Sequence, residues 1–190
     1  MQDPAFIKEI QHKAQSLSEQ VSAEFGSLDG ETLNMQPAPK KWSVGECLDH
    51  LITTSRSYHP LFTKLVSGTY KPNWWEHSSP FSGYFGRLLI ESTGPVVKKP
   101  YKSPPAFQST RSRVPADIVE AFLREYRQWQ DWVGQLSELD VDKTRVTSPA
   151  SGLVTYSLRD CLTIIQGHTE RHINQARRAL ETVAAHTNEQ

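Results

Sequence analysis

The sequence has no surplus of charge of either sign: Lys and Arg total 21, Asp and Glu total 21, and the formal net charge is zero. A protein that grips nucleic acid needs a basic face, and attraction to an anionic membrane needs a basic cluster. A balanced chain argues against both partners. Cysteine is scarce, with only Cys47 and Cys161, too few for a disulfide scaffold. No apolar run approaches the roughly 18 residues that a membrane span needs. The opening MQDPAFIKEI has no basic stretch leading into an apolar one, so it does not read as a secretory signal. No internal repeat and no convincing strand pattern is present. These absences set the expectation of a cytoplasmic protein acting without nucleic acid or membrane.

What is present is helical periodicity. With 190 residues, 37% of them apolar, and five Trp, seven Phe and six Tyr, the chain can bury the core of one domain, expected to span residues 1–190. Residues 4–28 read as a first helix, with Pro4 at its first position and Phe6, Ile7, Ile10, Ala14, Leu17, Val21 and Phe25 at steps of three and four. The segment ends at Gly26 and the following LDGET. A second helix is expected over 44–66. Ser43 and Glu46 form a capping box at its start, and Trp42 stands before the cap, where an apolar side chain can staple onto the helix. Pro60 predicts a kink or an early end.

Residues 67–116 break the pattern. They carry Pro72, Pro80, Pro95, Pro100, Pro104, Pro105 and Pro115 together with Trp74, Trp75, Phe81, Tyr84 and Phe85. A short helix fits 81–92, and the remainder reads as a long insert. Segments of this length and kind are often functional. Its aromatics either line a pocket over a site or, as the reading preferred here, form a satellite core. A third helix runs from about 117 to 138 on Ile118, Phe122, Tyr126, Trp129, Val133 and Leu136. An irregular link follows, and a last helix is expected over 157–183, on Leu158, Cys161, Leu162, Ile165, Ala176, Ala179 and Leu180, with a frayed tail. Four long helices point to an all-α bundle.

The last helix contains His168 and His172. Four residues apart, they lie one turn apart on one face, a spacing that lets two imidazoles reach one metal ion. They continue the apolar stripe, so they point inward, where an unsatisfied polar group costs about 1–3 kcal/mol. The competing reading is a pair of core histidines hydrogen-bonded to neighbours. No Glu follows His168 directly, which excludes the HExxH arrangement, so a third ligand must come from elsewhere. His50 is the best candidate, on the flank of the second helix's stripe. His59 is its rival, nine residues on and about half a turn out of phase. His12, His77 and His186 read as surface residues. Cys47, three residues before His50, is close enough to share a metal. Cys161 is about 10 Å along the helix from His168, too far. Both cysteines sit in apolar stripes and read as packing residues. Glu170 and Arg171 are expected to face outward.

Trp42-Ser43, Glu46, Leu48 and His50-Leu51, together with His168, His172 and Gln175, resemble the two signatures of the DinB-like superfamily, including its YfiT-like members. The resemblance covers roughly 1–66 and 117–183; the insert is longer than the family leads one to expect. It implies an up-up-down-down four-helix bundle with a crossover, often assembled as a homodimer. It also implies one divalent ion (zinc, nickel, manganese or iron) held by His50, His168 and His172. Some such proteins are metal-dependent transferases using low-molecular-weight thiols; others are isomerases or have no known activity. Three neutral imidazoles leave such an ion an open position. A thiol entering there loses its proton and becomes a nucleophile, whereas water there leads to hydrolysis. The residues do not choose between these routes, nor between an enzyme on a small-molecule substrate and a protein whose metal or histidines are only structural. Gln175, three residues past His172, reads either as a group orienting a ligand from behind or as a solvent-facing residue. No residue is nominated as a general base.

Overall fold

The structure, a computed structural model, describes residues 2–94 and 113–188; the stretch 95–112 of the expected insert lies outside the described residues. Helix α1 spans Pro4–Phe25. Asp3 caps it, accepting from the Phe6 N–H at 3.1 Å, and the expected stripe from Ile7 to Phe25 is buried. The LDGET segment is not a plain link: Asp29 caps a short helix α2, Gly30–Asn34, that buries Leu33. Helix α3 covers Val44–Ser57, and α4 covers His59–Val66. The break falls at Tyr58, where Pro60 enters the first turn of α4, the early end that a missing N–H and a fixed φ bring about.

Two further helices lie in the insert, α5 over Trp74–Ser78 and α6 over Ser82–Thr93, the latter close to the expected 81–92. Helix α7 spans Ile118–Gly134 and α8 Leu158–Asn188. The last helix therefore runs through most of the tail expected to fray. Between α7 and α8 the expected irregular link contains two antiparallel strands, β1 Arg145–Thr147 and β2 Thr155–Ser157, with Val146 opposite Tyr156 and both fully buried. Strands of three residues are too short to show alternation.

The bundle is all-α in its frame, with α1, α7, α3 and α8 packed in that order around the core. Contacts between side chains fix their directions. Asp3 meets Arg159 and Glu24 meets Arg177, so α1 and α8 run parallel. Ser18 meets Gln130, and Gln2 meets Glu138 beyond the end of α7, so α1 and α7 run antiparallel. Trp42 stacks on His172 and Tyr58 meets Tyr156, so α3 opposes α8. The order is thus up-down-down-up, not the expected up-up-down-down. The chain reverses between α1 and α3, through α2, and again between α7 and α8, through the hairpin. Helices α3 and α7 run in the same direction, so the crossover is the connection between α4 and α7.

The described part of the insert is anchored to the hairpin. Thr147 donates to Glu76 at 2.7 Å, Ser82 and Thr155 hydroxyls meet at 2.7 Å, Tyr70 donates to the Arg145 carbonyl at 2.7 Å, and the Trp75 indole donates to the Leu153 carbonyl at 3.0 Å. These bonds lay α6 along α8. Gly86 permits the close approach, since a Cβ there would stand 2.3 Å from Asp160 Oδ2. Among the described residues, no helix is long and apolar enough to cross a membrane.

Candidate metal centre

Helix α3 begins on the expected capping box: Ser43 Oγ accepts from Glu46 N–H at 3.1 Å, and Glu46 accepts from Ser43 N–H at 2.7 Å. This fixes the first turn and, through it, the direction in which His50 points. Cys47, Leu48, Leu51 and Ile52 are buried in the core, and so is His50, only 1% exposed. Opposite it, α8 presents His168 and His172 from one face. The three rings converge, with centroids 5.1 Å apart for His50 and His168, 4.5 Å for His50 and His172, and 4.6 Å for His168 and His172. One nitrogen from each lies within 4.8 Å of the other two.

The chemistry of this cluster fits a divalent ion. His50 Nε2 and His168 Nε2 stand 3.2 Å apart. Two nitrogens at about 2.0–2.1 Å on a tetrahedral ion are about 3.3 Å apart. Burial depresses the His168 imidazole to about 3, with neighbouring His50 and Arg171 adding to the shift. Burial likewise takes His172 to about 2, with His168, His50 and Arg171 adding to it. Both rings are therefore neutral near pH 7 and offer lone pairs. His172 Nδ1 is buried without a hydrogen-bond partner, a cost that structures seldom carry without cause. Gln175 lines the same cavity one turn on and offsets part of the drop at His172.

Trp42, partly buried against the core before the cap, also reaches the histidines. Its indole lies over the cluster, 5.0 Å from His50 and 5.6 Å from His172, stacked at 28° on the latter. The cluster forms part of the wall of a cavity of about 790 Å³, bounded by α3, α7, α8 and α6, a size typical of small-molecule sites. Its apolar lining includes Leu51, Phe122, Tyr126, Trp129 and Ile164. From the insert come Leu88, Leu89, Ser92 and Thr93. The aromatics of the insert take neither role considered for them as a group: Trp74, Phe81 and Tyr84 are exposed, and none of the five lines the cavity.

The other histidines stand apart. His59 hydrogen-bonds to Glu125 and sets its ring edge-on to Trp132. His12, His77 and His186 are exposed, as expected of surface residues. Cys47 and Cys161 are fully buried, and burial pushes both thiols well above their usual range. Among the described residues neither belongs to the cluster, which contains three histidines and no cysteine or carboxylate.

Two residues went unrecognised in the sequence. Arg171 does not face outward: it lines the cavity and donates to the Ser92 carbonyl at 3.0 Å. The insert helix α6, whose position no periodicity of α8 could reveal, holds it inward. Glu125 lies in the cavity wall at 9% exposure, where Ser55 donates to it at 2.9 Å and Arg56 approaches at 3.4 Å. Its spacing of three from Phe122 and four from Trp129 was a usable signal, since all three share a face of α7.

A family model described as the DinB superfamily matches residues 16–176. No curated protein and no solved structure matches the chain.

Proposed function

The chain belongs to the DinB superfamily, and from that premise we propose that it is a metal-dependent enzyme acting on a small molecule, by thiol transfer or by hydrolysis. His50, His168 and His172 hold one divalent ion. The observation that carries this reading is the position of the three imidazoles on the wall of a cavity large enough for a substrate, with three protein donors and no fourth in their cluster among the described residues. A purely structural site would close its coordination with a fourth protein ligand.

When bound, the ion supplies a Lewis-acid centre that makes a thiol or a water nucleophilic near neutral pH. The protein's own groups do the rest. The neutral His168 and His172 imidazoles donate lone pairs without first releasing protons. Trp42 covers one side of the cluster and limits water there. Gln175 stands beside His172 on the cavity wall, placed to orient a ligand, and Phe122, Tyr126 and Trp129 offer an apolar face to a substrate.

The test is reconstitution. Chelator-stripped protein is loaded separately with zinc, nickel, manganese or ferrous iron, then assayed with low-molecular-weight thiols plus electrophiles and with hydrolysable esters. Turnover that depends on one of these ions and disappears in His168→Ala supports the proposal. Tight metal binding without turnover in any arm would instead assign the ion a structural role.

A further inference from the structure

The charge around the cavity is unevenly compensated. Lys40, Lys41 and Arg171 line it as cations, Glu46 and Glu125 as anions. Both carboxylates are occupied. Glu46 folds back on the start of α3, accepting from Ser43 N–H and Gln36 Nε2, where the helix dipole favours its charge. Glu125 is held by Ser55, Arg56 and His59. The cations are not matched in this way. Among the described residues, no carboxylate pairs with Lys40, Lys41 or Arg171, and Arg171 has only the Ser92 carbonyl. A half-buried guanidinium facing a cavity without a counter-charge is costly. It is also well shaped to take two oxygens of a planar anion.

Arg171 stands next to His172 in sequence and three residues from His168, on the wall that the three imidazoles share. We infer that Arg171, with Lys40 and Lys41 at the exposed rim, forms an anion subsite that takes a carboxylate or phosphate of the substrate while its reacting group lies at the histidine cluster. The substrate class that follows is a small amphipathic anion, with an apolar body against Phe122, Tyr126 and Trp129. The inference rests on the proposal that this cavity is the reaction site, and it concerns charge recognition alone.

The experiment is calorimetric titration of phenylbutyrate, phenyl phosphate and uncharged phenylbutanamide into zinc-treated and chelator-stripped protein. The stripped arm removes direct ligation of an anion by the metal. At least one anion binds stripped protein about tenfold or more tighter than the amide, the ratio expected of a hydrogen bond to a charged group. The tighter of the two anions identifies the source. Arg171→Gln abolishes the preference while leaving zinc content at the wild-type level, and Arg171→Lys restores part of it. Equal binding of anions and amide, or an unchanged preference in folded Arg171→Gln, would overturn the inference. Should Arg171→Gln fail to fold, the Lys40→Gln, Lys41→Gln double variant decides, since both positions are exposed. A loss of anion affinity of about threefold or more supports the subsite, and no loss overturns it. A chain that takes up no zinc yet keeps the anion preference would refute the metal proposal and leave this inference standing.

Discussion

Acidification should destabilise the metal-free protein steeply, and the histidine cluster should account for it. His168 falls to about 3 and His172 to about 2 in the folded chain, against an ordinary value of 6.5, chiefly through burial. A base whose folded value is depressed binds its proton more readily when unfolded. Stability is therefore highest above about pH 6.5 and is lost as pH falls toward the folded values. At pH 5, about 1.5 pH units below the unfolded value, each imidazole has cost the folded state about 2 kcal/mol, at about 1.4 kcal/mol per unit. The two together cost about 4 kcal/mol, a large share of the roughly 5–15 kcal/mol that stabilises a typical domain. Urea unfolding of chelator-treated protein, followed by helical circular dichroism between pH 7 and pH 5, measures the loss. The double variant His168→Gln, His172→Gln should show a markedly shallower pH dependence over that window. An equal slope in wild type and double variant would refute the reasoning, because carboxylates or other histidines would then carry the dependence.

Three further outcomes follow from the same contacts. Ser43→Ala removes the acceptor that caps α3 and should cost about 1 kcal/mol in urea unfolding, with a measurable drop in metal affinity because His50 rides on that helix. Ile173→Ala empties a fully buried position beside His172 and should cost about 2–5 kcal/mol, seen as a lowered urea midpoint. Gly86→Leu drives a side chain into Asp160, whose carboxylate accepts from the Ser157 N–H at the start of α8. It should displace α6 at a cost of about 1–3 kcal/mol and change small-molecule affinity in calorimetry while metal content stays at the wild-type level.

Much of this architecture was legible from periodicity. The stripe of α1, the capping box of α3, the break at Pro60 and the i, i+4 pair on α8 are local features, written in residues close together in sequence. His50 was harder. It sits on the flank of the α3 stripe, and only the packing of α3 against α8 shows that the flank faces two imidazoles. The helix order was misjudged for the same reason: direction shows only in contacts between helices, and no single helix records it. Arg171 looked outward because its helical phase says so, but α6 lies along that side of α8 and turns it into a wall. The hairpin escaped because three-residue strands carry no pattern. The insert's exposed aromatics show that hydrophobicity without periodicity does not locate a pocket.

The central claim is that the three histidines bind a metal ion, and the most direct measurement is elemental analysis of protein purified without a histidine tag, alongside the His168→Ala, His172→Ala double variant. About one equivalent of a divalent transition metal per chain in the wild type, and little in the variant, is the result expected of a three-imidazole site. Equal and negligible metal in both would contradict the account.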